Sequence, residues 1–215
     1  MENNGFLDAM NAIVTAINEN KEFLTDLDRE IGDADHGVNM ARGFNAVMEK
    51  LNQSPPNSLQ AGLKTVAMTL ISTVGGASGP LYGTAFLRSS AIAENQTEVN
   101  ALLASQMLRA ATDGIEARGG AAPGDKTMVD ALESAYAAFE ESQQKGESLL
   151  GCLEAACEAG EKAVEYTKTI AARKGRASYL GDRSIGHQDP GATSVTIILK
   201  AFTEYCRSVE KEQTW

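Results

Sequence analysis

Thr193-Ser-Val195-Thr-Ile-Ile198-Leu199-Lys-Ala-Phe202-Thr-Glu-Tyr-Cys206-Arg-Ser-Val209 is the stretch that decides the fold class. Its first part, Val195-Thr-Ile-Ile-Leu199, has the β-branched composition of a strand. The apolar positions then continue through Phe202, Cys206 and Val209, three or four residues apart. That is the spacing of one helix face, so we read a helix. Strand signals are few elsewhere, and the all-α reading extends to the whole chain.

The same spacing recurs N-terminally. Phe6, Met10, Ile13, Val14 and Ile17 mark a first helix, and Met40, Phe44, Val47, Met48 and Leu51 a second. Ser58 caps a third with Leu59, Leu63, Val66 and Leu70. Leu81 to Ile92 form a fourth. A fifth, capped by Thr97, carries Val99, Leu102, Leu103, Met107 and Leu108. Met128, Leu132, Tyr136 and Phe139 mark a sixth, and Leu149, Leu153, Ala156, Cys157 and Val164 a seventh. The expected architecture is a single domain over 1–215, built of about eight antiparallel helices with mostly short connections.

In an up-down bundle alternate connections share one end. Those after helices one, three, five and seven are the four that combine glycine with polar residues: 28–39, 75–84, 118–128 and 173–193. Loops on a rigid scaffold usually carry function, so this parity points to one site at one end.

Composition narrows the function. Net charge is −10, which speaks against nucleic acid and anionic membranes as partners. No apolar run is long enough to span a bilayer, and the N-terminus lacks the basic-then-apolar pattern of a signal peptide; a cytoplasmic protein is expected. Cys152, Cys157 and Cys206 lack metal-binding spacing and read as buried thiols.

Asp28, Glu30, Asp33 and Asp35 fall within eight positions. Two carboxylates about 4 Å apart repel by on the order of 4 kcal/mol at an effective dielectric of 20, so a cation partner is implied. An EF-hand is excluded: the twelfth position counted from Asp33 is Phe44, where a bidentate Glu is required. Mg²⁺ shared with a phosphate suits the cluster better. The competing reading is a solvated acidic turn, with Asp35 or Asn39 capping the next helix.

The glycine-rich segments 75–84 and 118–128 match no standard phosphate loop. No two glycines are separated by a single residue, and Asp125 interrupts a near-Walker spacing from Gly119 to Lys126. Small residues at 75–84 suit a close helix crossing or the approach of a flat ligand to backbone, with Ser78 as a donor. Asp125 reads as a favourable charge at a helix N-terminus. Arg173, Lys174, Arg176 and Arg183 cluster in one loop of an acidic protein. Guanidinium groups there could meet phosphate oxygens or an acidic partner. His36 and His187 fit no zinc pattern.

Four segments together carry a resemblance: LDREIGDADHGVNMARGF (27–44), MTLISTVGGASGPLYGT (68–84), RGGAAPGDKTM (118–128) and ARKGRASYLGDRSIGHQDPGATS (172–194). They resemble the nucleotide-binding (L) subunits of dihydroxyacetone kinases, and among these the phosphotransferase-system-coupled type that draws on phosphoenolpyruvate. The resemblance implies an eight-helix barrel with ADP or ATP at one end. It implies two Mg²⁺ ions on Asp28, Asp33 and Asp35. Matching positions imply nucleotide contacts at His36, Gly37, Val38, Asn39, Ala77, Ser78, Gly119, Met128, Arg176, Asp189, Pro190 and Gly191. Arg176 is the expected catalytic residue, compensating charge on the transferred phosphoryl group.

The implied partners are a dihydroxyacetone-binding K subunit and a phosphocarrier M subunit; a second copy of the chain and a transcriptional regulator are further candidates. An ATP-exchanging subunit for another ketose and a nucleotide-charge sensor are the alternatives.

Overall fold

The structure is a computed structural model and describes residues 3–213. Among the described residues it is all-helical. The α-helices are α1 (Asn3–Glu19), α2 (Lys21–Ile31), α3 (His36–Gln53), α4 (Leu59–Thr73), α5 (Ser78–Ile92), α6 (Ala101–Gly119), α7 (Met128–Gln144), α8 (Leu149–Thr167) and α9 (Pro190–Gln213). A 3-10 helix over Arg176–Ser184 lies in the connection before α9. The Val195–Leu199 segment is helical, as its continuing stripe predicts.

One helix was not anticipated. Lys21–Ile31 forms α2, so Asp28 stands on a helix rather than in the acidic loop expected at 28–39. The buried stripe of α2 is Leu24, Thr25, Asp28 and Ile31, and its two polar members interrupt the apolar pattern. Backbone bonds run through the junction, from Asn20 N–H to Ala16 O (3.1 Å) and from Leu24 N–H to Asn20 O (2.9 Å). The chain therefore bends at Asn20 without reversing. Helices α1 and α2 form one bent rod, and the up-down count of eight survives.

Other boundaries shift locally. Helix α6 begins at Ala101, with Asn100 Oδ1 accepting from Leu103 N–H (2.9 Å), so Thr97 and Val99 precede it. Helix α5 begins at Ser78 rather than Leu81.

Each rod packs on its chain neighbours, and α9 returns to α1, closing the ring. The stripes meet in one core that includes Ile17, Leu24, Met40, Phe44, Val47, Leu70 and Val129. Burying such a side chain stabilises by roughly 1.5–3 kcal/mol, which is what selects the all-helical stripes. A second cluster of Phe139, Cys152, Leu153 and Cys206 fills the end where α7 finishes and α8 begins. All three cysteines are buried and unbridged. No helix among the described residues is long and apolar enough to cross a membrane.

Candidate functional site

Connections 32–35, 74–77, 120–127 and 168–189 gather at the opposite end. They enclose a cavity of about 430 Å³. Asp28, Asp33, Asp35, His36, Ala77, Ser78, Gly119, Met128, Arg176, Asp189, Pro190 and Gly191 all line it. All of these are sequence-predicted site residues.

Three predicted contacts lie outside the cavity wall. Gly37 faces α2: a Cβ there would stand 2.0 Å from Lys21 O. Val38 is exposed, and Asn39 is buried with Oδ1 accepting from the Arg42 guanidinium (2.6 Å).

Asp28 serves two neighbours. Its Oδ2 accepts from the backbone N–H of Asp35 (2.9 Å) and His36 (3.1 Å), the donors a helix N-terminus leaves unpaired. Asp35 occupies the N-cap position but makes no side-chain cap. An anion thus already occupies part of the helix start where the resemblance implies nucleotide contacts. Gly32 makes room for it, since a Cβ there would meet Asp28 Oδ1 at 2.0 Å.

Asp28, Asp33 and Asp35 each place one ligand oxygen within 4.8 Å of the others. An all-carboxylate donor set with an open cavity beside it fits a hard divalent cation such as Mg²⁺. Asp33 also pairs with Arg176 at 2.8 Å. Ile31, Ala172 and Ala177 form a small apolar cluster that seats the Arg176 segment on α2.

His36 ties three walls together. Ser194 Oγ donates to Gly191 O (3.0 Å) and has no second proton. Ser194 Oγ also lies within hydrogen-bond distance of Tyr82 OH (2.7 Å) and His36 Nε2 (2.9 Å), and His36 Nδ1 within that of Ser78 Oγ (3.3 Å). With Ser194 donating to Gly191 O, the network is satisfied by a neutral imidazole that carries its proton on Nε2. Burial lowers the pKa of His36 and outweighs the raising effect of Asp28 and Asp35.

Asp189 caps α9, with Oδ2 accepting from Ala192 N–H (2.7 Å) and Pro190 following at the first helical position. Burial pushes its carboxyl up to about 7, against the lowering effect of that N–H.

The 118–128 segment departs from expectation. The cap of α7 is a capping box of Thr127 and Asp130, while Asp125 accepts from Ala122 N–H (2.9 Å) within its own turn. Lys126 is fully buried. In the sequence Lys126 stands only at the end of the interrupted near-Walker spacing, a pattern that carries no signal of burial. Arg118 and Lys174 also line the cavity. Their signal was present, since both sit inside the quoted motifs.

The DAK2 domain model matches residues 30–204. The chain belongs to the DAK2 domain family. This DAK2 chain is 50% identical over 179 residues to the PEP-dependent dihydroxyacetone kinase, ADP-binding subunit DhaL, of Escherichia coli, covering 83% of this chain and 85% of that one. It is 44% identical over 188 residues to the PTS-dependent counterpart of Lactococcus lactis, covering 87% and 90%. Human triokinase/FMN cyclase is 34% identical over 189 residues, 87% of this chain but 32% of that one. The dihydroxyacetone kinase of C. freundii in complex with AMP-PNP and Mg²⁺ shares the fold, with a TM-score of 0.69 at 24% identity. The alignment covers 92% of this chain, which spans about a third of that enzyme (33%).

Proposed function

We propose that this chain is the nucleotide-binding, phosphoryl-transferring subunit of a phosphoenolpyruvate-dependent dihydroxyacetone kinase, acting in the cytoplasm. The observation that carries the reading is the triad of carboxylate oxygens within 4.8 Å at the edge of a nucleotide-sized cavity. Half of the aligned residues are identical to an ADP-binding subunit of this class.

Asp28, Asp33 and Asp35 would hold Mg²⁺, two ions by family resemblance, and the metal supplies charge neutralisation at the phosphates. Leu81, Ile115 and Met128 offer an apolar wall for a base, and Gly119 lets backbone approach it. Ala77 and Ser78 open α5, so a phosphate there meets a helix N-terminus. Arg176 stands beside Asp33, where its guanidinium can compensate charge on the transferred group. Transfer breaks the bond from the terminal phosphorus to its bridging oxygen. A new bond forms to a hydroxyl of dihydroxyacetone, whose proton passes to solvent, while the bridging oxygen keeps the electron pair and leaves as part of ADP.

The ketose sits on a separate K subunit, and a phosphocarrier M subunit recharges bound ADP in place. A second copy of the chain and a transcriptional regulator are further partners of this reading.

Purified protein, gel-filtered in magnesium and denatured, should release near-stoichiometric ADP. An empty protein that binds ATP with rapid exchange would replace the recharging scheme with an ATP-consuming one. An empty protein that binds no nucleotide with fresh Mg²⁺ would overturn the proposal.

A further inference from the structure

Lys126 is 0% exposed, yet no carboxylate among the described residues pairs with its ammonium. Instead Nζ donates to the backbone carbonyls of Thr167 (2.5 Å), Ser184 (2.8 Å) and His187 (2.5 Å), with Ile170 O more distant at 3.3 Å. An ammonium has three protons, so three close carbonyls and one shared fourth satisfy it. Burying a lysine is costly unless it is paired in this way. Asp189 and Asp130 add attraction from nearby, while burial lowers the lysine's pKa.

All four carbonyls belong to one stretch, from the end of α8 to the start of α9. Thr167 O is a C-terminal helix carbonyl with no intrahelical partner, a favourable place for a cation. The stretch behaves as a strap across the cavity. Lys174, Arg176, Ala177 and Asp189 on it face the cavity. Other backbone groups tie the stretch as well, among them Arg173 N–H to Asp125 O (3.0 Å) across to the facing turn, and Ala172 N–H to Ser184 Oγ (2.8 Å), Gly186 N–H to Lys168 O (2.7 Å) and Asp189 N–H to Thr167 Oγ1 (3.0 Å). Lys126 itself sits just before the cap of α7, on the facing wall, with a φ of 61° that a β-carbon residue rarely adopts. A strained backbone and a buried charge are spent together on holding one loop.

We propose that Lys126 is a positioning residue: its buried ammonium is an internal cation that draws the carbonyls of Thr167, Ser184 and His187 to one point and so sets where Arg176 and Asp189 stand in the cavity. What matters is a positive charge with three donors at that point. A free alkylammonium should therefore replace the side chain.

The test is Lys126→Ala with n-propylammonium, which supplies the missing carbons and nitrogen, against n-propanol as the uncharged control. Two readouts apply to the full chain: amide exchange over 168–189, and affinity for Mg-ATP. The second rests on the proposed function; the first does not. In Lys126→Ala the amides of Gly186 and Asp189 should lose protection, and affinity should fall by roughly 10–100-fold, as for other groups that orient a binding shell. Propylammonium should restore both, and propanol neither. Should Lys126→Ala fail to fold, Lys126→Met retains the side-chain bulk without charge and should show the same two losses. Unchanged exchange and affinity in the folded variant would overturn the proposal. So would equal rescue by propanol, which would make bulk the active feature. A wild-type chain that binds no Mg-ATP would remove the functional reading, and the exchange readout alone would then decide the role of Lys126.

Discussion

Replacing Gly37 with alanine asks whether this glycine serves packing or ligand. The added Cβ would lie 2.0 Å from Lys21 O, 2.5 Å from Thr25 Oγ1 and 2.8 Å from Thr25 N. Two of those atoms are backbone and cannot rotate away. Relief requires α2 and α3 to part by roughly 1 Å, an overpacking strain of about 1–3 kcal/mol. The same displacement weakens the bonds from Asp28 Oδ2 to the N–H groups of Asp35 and His36, now 2.9 and 3.1 Å, for about 1 kcal/mol more. Alanine's better helix propensity returns about 1 kcal/mol. The net cost is about 1–3 kcal/mol, or a fall in Tm of roughly 2–12 °C for a chain of this size. Thermal melts followed by far-UV circular dichroism give the value. Gly151→Ala is the control. Its nearest neighbour, 3.3 Å away, is the movable tip of Glu147, so the same substitution in α8 should be neutral or slightly stabilising. A Gly37→Ala variant melting within about 2 °C of wild type, but unable to bind nucleotide, would refute the packing argument and restore Gly37 as a ligand contact.

Asp28→Ala should cost about 1–2 kcal/mol through the lost cap on α3, whereas Asp28→Asn keeps an oxygen for those N–H groups and should lose chiefly Mg²⁺-dependent nucleotide affinity. Wild-type magnesium dependence in Asp28→Asn, measured by titration, would contradict the metal role. Asp189 has its pKa raised by burial from 3.8 to about 7. The protonated form is therefore favoured on folding: stability is highest below the unfolded pKa and falls as pH rises through about 7. The loss is at most about 4 kcal/mol. Asp189→Asn should flatten this slope in urea unfolding at several pH values, and an unchanged slope would remove Asp189 as its source. Arg176→Ala should abolish phosphoryl transfer in a system reconstituted with its partner subunits. Its stability should change by under about 1 kcal/mol, because the Asp33 pair is largely solvated. Full activity would place Arg176 outside the chemistry.

Much of the architecture was legible because each helix buries one face. Phe44, Val47 and Leu51 repeat at the helical interval because all three point into one core. Helix α2 was missed for the converse reason. It buries Thr25 and Asp28 where the pattern calls for apolar residues, and polar residues in a stripe look like a loop. Thr97 and Asn100 are both plausible caps on composition, and only the bond from Leu103 N–H selects Asn100.

The candidate site divides in the same way. The sequence by itself determined that four polar, glycine-bearing connections fall at alternate positions, and hence at one end. It also placed Asp28, Asp33, Asp35, Ser78 and Asp189 within those motifs. Both follow from local periodicity and composition, which the chain carries along its length. Tertiary structure alone decided that Asp28 caps α3, that Gly37 serves the contact with Lys21 and Thr25, and that Lys126 is buried among carbonyls. It also joined His36 to Ser194, 158 residues away. A side chain's hydrogen-bond partner is set by which loops meet in space, and residue order does not encode that meeting in any local pattern.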